Sequence, residues 1–311
     1  RHSTLSFHDV HMPLSAGHVE RFAAFDGLGF CQGVHPVVLR PGEPVFLSDV
    51  CWHHLVDEAI RRYHEPNPAD VRSIWWIRDR YLIVHDALAV DPSILTWWHL
   101  QVVADSHSGD WRTGYRFRGR FGTDLYVLMP DQTFVDEQVI QQPILDYKRK
   151  AEETFSMRHL QLRAASNQHY LAILQPLRPD EQPLTASSIM HDGSLIGTHV
   201  RGDGIDDLFL FARSDIELTQ GDLHFAGRYA AIQRDANQTA LTLLAGTRLT
   251  WQGIDLRTTG TMAHLLLTKD NATLTIEGEG RCQITGPGSS ADLSTPGPRQ
   301  TILIPRTTPL S

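Results

Sequence analysis

After about residue 65 the chain reads as short runs of β-branched and aromatic residues separated by turn residues, with no sustained 3.6-residue period. That pattern predicts an all-β fold. In Ile94 to Val103, alternation sets Leu95, Trp97, His99 and Gln101 on one face and Ile94, Thr96, Trp98 and Leu100 on the other. Both faces are rich enough in apolar groups to be covered. Arg72 to Ile77 and Tyr81 to His85 flank the polar Arg78-Asp79-Arg80, short enough for a hairpin turn, so the two runs are expected as neighbouring antiparallel strands.

Further strands are predicted at Asp124 to Met129, Phe155 to Ala164, Tyr170 to Leu174, Asp207 to Ala212, Arg228 to Gln233, Ala240 to Leu244 and Arg248 to Trp251. Met262 to Thr268, Ala272 to Ile276 and Gln283 to Thr285 follow, with turns at Arg234 to Asn237 and Lys269 to Asn271. Helix is expected only at Val56 to Arg62 and Asp146 to Phe155, the second a charged stretch that reads as a solvated face. Pro and Gly become dense at Gln182-Pro183, Gly193 and Gly202-Asp203-Gly204, and again from Gly286 to Pro309. The expected organisation is a main β-sandwich over residues 1–190, a second β-sheet subdomain over 191–285, and a weakly ordered tail over 286–311 in which Thr301 to Pro305 pairs as a last strand.

A length of 311 residues suits one large all-β unit or two packed ones, and 41% hydrophobic with 21% charged residues is a globular composition. The net charge is −8 and no basic block occurs, so nucleic acid is not an expected partner. An acidic glycan remains compatible, because a bound sugar feels the field of its own cleft. No apolar stretch approaches the roughly 20 residues that cross a bilayer, so no membrane partner is expected. Cys31, Cys51 and Cys282 lack metal-type spacing; a Cys31–Cys51 disulfide and three buried thiols are both open.

His2, His8, Asp9, His11 and His18 crowd the first 18 residues, and imidazole with carboxylate is a zinc donor set when three or four converge. A surface segment with chance histidines is the alternative, in a chain with 17 of them. Trp75, Trp76, Trp97, Trp98 and Trp111 are of the type that stacks on sugar rings, and equally of the type that fills a core. Arg72 suits a bidentate carboxylate contact or a strand-anchoring ion pair. Gly202-Asp-Gly-Ile-Asp-Asp207 has the carboxylates of a calcium loop without the remainder of an EF-hand, and reads as a turn. Neither a G-x-S-x-G elbow nor a phosphate-binding glycine loop is present.

Arg1-His-Ser-Thr-Leu-Ser-Phe-His-Asp9 resembles the segment that opens the C-terminal β-sandwich of heparinase II/III-like polysaccharide lyases, with Ser3 where that family carries Asn. Val71 to Leu88 followed by Trp97-Trp-His-Leu100 is similar to the family's arginine-led strand, hairpin and following strand. Gly202 to Asp207, Arg228 to Asp235 and Leu244 to Leu249 resemble later family elements in order and spacing, so that the likeness spans residues 1–285.

The resemblance implies a large antiparallel, supersandwich-like β-sandwich packed against an N-terminal α/α toroid, in a periplasmic or secreted lyase that cleaves uronic-acid polysaccharide by β-elimination. It implies a zinc ion with His2 as a ligand; His8, Asp9 and His11 stand close enough in sequence to assist. Arg72 and Trp97 are the residues expected to meet the acidic polysaccharide. The family's toroid and its His-x-His-Ala-Asp-type segment are missing from these residues, so the chain alone is not expected to carry a complete catalytic set. A non-catalytic carbohydrate-binding sandwich is the competing expectation.

Overall fold

The computed structural model describes residues 5–7, 10–11, 18–35, 70–77, 79–88, 96–119, 122–130, 134–144, 155–164, 169–191, 193, 195–286 and 289–305. All secondary structure among these is antiparallel β, as the alternating runs require. The two expected helices fall outside the described residues, apart from Phe155, which opens a strand. The chain divides into two compact units, Arg1–Pro183 and Leu184–Ser311. The second unit thus begins seven residues ahead of the expected boundary.

In the first unit the described strands are β1 (Leu5–Phe7), β2 (Val10–His11), β3 (His18–Phe25), β4 (Leu28–His35), β5 (Asp70–Ile77), β6 (Tyr81–Leu88) and β7 (Thr96–Val103), then β8 (Ser106–Asp110), β9 (Gly114–Arg118), β10 (Asp124–Leu128), β11 (Phe134–Ile144), β12 (Phe155–Ala164) and β13 (His169–Leu177). They form a five-stranded sheet, β11-β12-β7-β1-β2, and an eight-stranded sheet, β3-β4-β5-β6-β13-β10-β9-β8. The predicted hairpin of β5 and β6 is present, with Arg80 N donating to Ile77 O at 3.1 Å.

One face of each sheet meets in a shared core: Trp98, Leu100, Leu160 and Leu162 from the smaller sheet against Tyr115, Phe117, Val127 and Tyr170 from the larger. This unit is therefore a β-sandwich. Polar contacts cross the core. Trp98 Nε1 donates to Asp86 Oδ2 at 3.0 Å, Tyr170 Oη donates to the Thr96 carbonyl at 2.9 Å, and Tyr115 Oη donates to Glu137 Oε2 at 2.6 Å. Each satisfies a group that burial would otherwise leave unmet. Burial first, and then Glu137, raises the Tyr115 pKa, so this phenol stays protonated and is not a base.

The second unit holds β14 (Thr185–His191), β15 (Leu195–Gly202), β16 (Ile205–Gln220), β17 (Leu223–Arg234), β18 (Gln238–Trp251), β19 (Ile254–Thr258), β20 (Met262–Thr268), β21 (Asn271–Gly286) and β22 (Ser289–Pro305) in one hydrogen-bonded sheet. The register slips in neighbouring strands along one line, between Phe211 and Ile216, Ala226 and Gly227, and Ile276 and Gly278. On one side of that line the row Leu208, Ile232, Leu241, Leu265 and Leu274 points inward; on the other, Leu218, Phe225, Leu249, Leu256 and Ile284. Both rows belong to a single core.

The bend depends on residues without a side chain. Gly227 has φ +148°, and a Cβ there would lie 2.4 Å from Gly246 Cα. Thr301 to Pro305 pairs as a last strand, as expected, but Ser289 to Gln300, expected as weakly ordered tail, also pairs with β21; the Pro-Gly-Pro at 296–298 sits at the register slip and interrupts the strand without ending it.

Candidate functional site on the five-stranded sheet

The strand bearing the Trp97-Trp-His-Leu100 resemblance is the central strand of the five-stranded sheet, β7. Its even-numbered side chains enter the core. Its odd-numbered ones, Trp97, His99 and Gln101, lie on the other face, as the alternation required. Next to it, β12 presents His159, Gln161 and Arg163 on that same face. His99 stands opposite Gln161 and Gln101 opposite His159, so two imidazoles and two amides form a quartet with like groups on the diagonals.

His99 Nδ1 and His159 Nε2 are 3.0 Å apart, and His159 Nδ1 lies 3.3 Å from Gln161 Nε2. Two imidazoles in hydrogen-bond contact must present one N–H to one lone pair. With the Gln161 amide donating to His159 Nδ1, the His159 Nε2–H donates to His99 Nδ1, and His99 carries its proton on Nε2. Both histidines are buried, which strengthens the contacts.

Beside the quartet, the Arg163 guanidinium sits over the Trp97 ring, 5.4 Å from its centroid. Trp97 is 8% exposed, so its ring supports an arginine and is not an open platform for a sugar. Arg72, the other residue expected to meet substrate, is held internally. Its Nε and Nη2 reach Asp86 Oδ1 and Oδ2 at 2.6 and 2.7 Å, a bidentate pair on a carboxylate with no exposed surface. Of its two possible roles, the strand-anchoring ion pair is the one it occupies here.

His2, His8 and Asp9 lie outside the described residues. The backbone of His11 pairs with Ser6, and Ser6 pairs with Trp97, which puts His11 in the cross-strand row of Trp97. Among the described residues no group of three or more His, Cys, Asp or Glu is arranged to hold a metal ion. The His99–His159 pair is short of the three or four ligands that zinc takes, so no chemical step is assigned to a metal here. Cys31 and Cys282 are free thiols; Cys51, the other half of the expected disulfide, falls outside the described residues.

The remaining candidates resolve locally. Trp75 is buried against Phe30, with ring centroids 4.6 Å apart, and Trp98 is core. Trp111 lies under Arg112, 4.5 Å from ring centroid to guanidinium carbon. Within Gly202 to Asp207 the turn is Asp203-Gly204, both at positive φ, and Ile205 to Asp207 already belong to β16. The Asp206 carboxylate is taken up by His199, Arg201 and Arg234, which hold its pKa down against the opposing effect of burial.

A second surface lies on the eight-stranded sheet, on the face that also carries Arg72. Phe22, Ala24, Cys31, Ile74, Trp76 and Leu82 line an open apolar cleft of about 520 Å³, with Phe22 75% and Trp76 57% exposed. Arg163, His159 and Asp86 had no role in the sequence reading. The signal for the first two was the polar group at every second position of His159-Leu-Gln-Leu-Arg163. The sequence matches no protein-family model, and no curated protein matches it.

Proposed function

We propose that this chain is the β-sandwich part of a lyase that cleaves uronic-acid polysaccharide by β-elimination, and that the outer face of its five-stranded sheet forms one wall of the glycan groove. The observation that carries this reading is the gathering of His99, Gln101, His159, Gln161 and Arg163 around Trp97, on the strand that bears the family-like motif. In such an elimination a base takes the proton beside the carboxylate, the bond to the leaving oxygen breaks, and the electron pair becomes a ring double bond. Neutralising the carboxylate makes that proton removable near neutral pH. The resemblance assigns the base to an upstream α/α toroid and a zinc ligand to His2, and the glycan class places the protein in the periplasm or outside the cell.

Calorimetric titration with uronate oligosaccharides, alongside the ultraviolet absorbance of unsaturated uronate products, tests the proposal. Affinity without turnover is the expected result for these 311 residues. Failure to bind every acidic glycan removes the proposal, and full turnover by this chain moves the catalytic groups into it.

A second reading, a non-catalytic carbohydrate-binding sandwich, is favoured by one observation: Trp76 and Phe22 are the open aromatic pair that sugar stacking uses. It predicts affinity for a neutral glycan that disappears in Trp76→Ala.

A further inference from the structure

Two tryptophans adjacent in sequence meet opposite fates in this sandwich. On the inner face, Trp98 Nε1 and the Arg72 guanidinium converge on one acceptor, the Asp86 carboxylate. On the outer face, Trp97 and Arg163 repeat the pairing of an indole with a guanidinium, and the acceptor is missing. Trp97 Nε1 and Arg163 Nε are both buried with no hydrogen-bond partner. Other guanidinium groups find carboxylates, as Arg116 with Asp124, Arg228 with Asp215 and Arg248 with Asp255; Arg21 Nε and Arg158 Nε are also buried without a partner, but among the described residues neither has an unpartnered indole N–H beneath it. Asp136 stands opposite Arg163 across β11 and β12, yet the described ion pairs do not include the two. Buried donors without acceptors are costly, and two side by side in one place call for an oxyanion.

We propose that Trp97 and Arg163 form a subsite for one planar oxyanion of a bound glycan, the uronate carboxylate, which takes on the outer face the part that Asp86 plays on the inner one. This rests on the acidic-glycan reading and adds to it the residues that read the charge. Arg163 is half-buried and meets the ligand first; its fork matches a carboxylate or a sulfate ester. The Trp97 ring lies beneath the guanidinium, and its Nε1 is a second donor without a partner. Asp136, opposite Arg163 in register, adds a negative charge on the same face.

The test is calorimetric titration of the 311-residue chain with three probes: an oligoguluronate (carboxylate only), a dextran sulfate oligosaccharide (sulfate only) and a cello-oligosaccharide (neither). Arg163→Gln is expected to weaken oligoguluronate binding by on the order of ten- to a hundredfold, the range for a hydrogen bond to a charged group. Trp97→Phe keeps the platform, removes the N–H and weakens binding a few-fold. Asp136→Asn tightens it, a change that a purely structural role for Arg163 does not produce. Arg163→Lys keeps the charge and loses the fork; an intermediate loss is expected, and it serves as the variant if Arg163→Gln does not fold.

Wild-type binding of oligoguluronate with no change in Arg163→Gln and Arg163→Lys overturns the subsite and leaves the acidic-glycan reading standing. Equal losses for oligoguluronate and cello-oligosaccharide also overturn it. No wild-type binding of oligoguluronate or dextran sulfate overturns both. Arg163-dependent binding of dextran sulfate alone keeps the oxyanion site and overturns uronate as its source.

Discussion

Removing the Asp86 carboxylate while leaving Arg72 and Trp98 in place exposes how much of the sandwich rests on one acceptor. Asp86 has no exposed surface and accepts from Arg72 Nε at 2.6 Å, Arg72 Nη2 at 2.7 Å and Trp98 Nε1 at 3.0 Å. Breaking a buried pair by deleting one partner costs about 3–5 kcal/mol. In Asp86→Ala the abandoned guanidinium is 28% exposed and recovers some water, which puts the cost near the lower end, about 3 kcal/mol. Arg72→Met leaves a carboxylate with no access to solvent and belongs at the upper end, about 5 kcal/mol. Arg72→Met with Asp86→Ala removes both charges and leaves the Trp98 N–H unmet, for roughly 1–3 kcal/mol.

The double variant is therefore expected to be more stable than Arg72→Met. Urea titration followed by near-ultraviolet circular dichroism gives the three values, provided the first unit's transition is resolved. At roughly 2–4 °C per kcal/mol for a unit of this size, Asp86→Ala lowers the melting point by about 10 °C. A double variant whose loss equals the sum of the two singles would refute the coupling and, with it, Asp86 as the shared acceptor.

Further outcomes follow from the same geometry. Burial, with Arg299 adding to it, lowers the His264 pKa from its ordinary 6.5 to about 4, so native His264 is neutral where the unfolded chain takes up a proton. Its contribution is present above pH 6.5 and lost as pH falls toward 4, by up to about 3 kcal/mol; urea midpoints should decline across that window in wild type and less in His264→Gln, and an unchanged slope refutes the assignment. Gly227→Ala forces a Cβ to 2.4 Å from Gly246 Cα, and a loss of more than about 2 kcal/mol is expected by thermal unfolding; a neutral result means that the bend does not need glycine. The Cys282 thiol, pushed up to about 11 by burial and then Asp292, should be alkylated by iodoacetamide far more slowly than the partly exposed Cys31, as peptide mass spectrometry would show.

What the sequence disclosed was local. Alternation along Trp97 to Gln101 assigned the two faces of β7 correctly, and the polar triplet after Ile77 located a hairpin, because a strand's faces and a tight turn are set by near neighbours. The partners stayed hidden where pairing is remote. His99 finds His159 sixty residues on, and Trp98 finds Asp86 on another sheet; both depend on strand order, which no residue pattern encodes. The bent strands were legible only in halves. Ala240 to Leu244 and Arg248 to Trp251 read as separate strands because Ala245-Gly-Thr247 has the composition of a turn, whereas it is the bulge in the middle of β18.

That bulge line constrains how the second unit can vary. Each of β16, β17, β18, β21 and β22 serves both rows of the core, so deleting a hairpin takes material from two places at once, and point damage on one side of the line is felt on the other. Insertions are tolerated best at the tips, around Gly221-Asp222 and Gln252-Gly253, where the chain reverses in solvent and no bent strand is interrupted. Most of its pairings join consecutive strands, so the hairpins can form locally, while the shared core should make the unit unfold as one cooperative block.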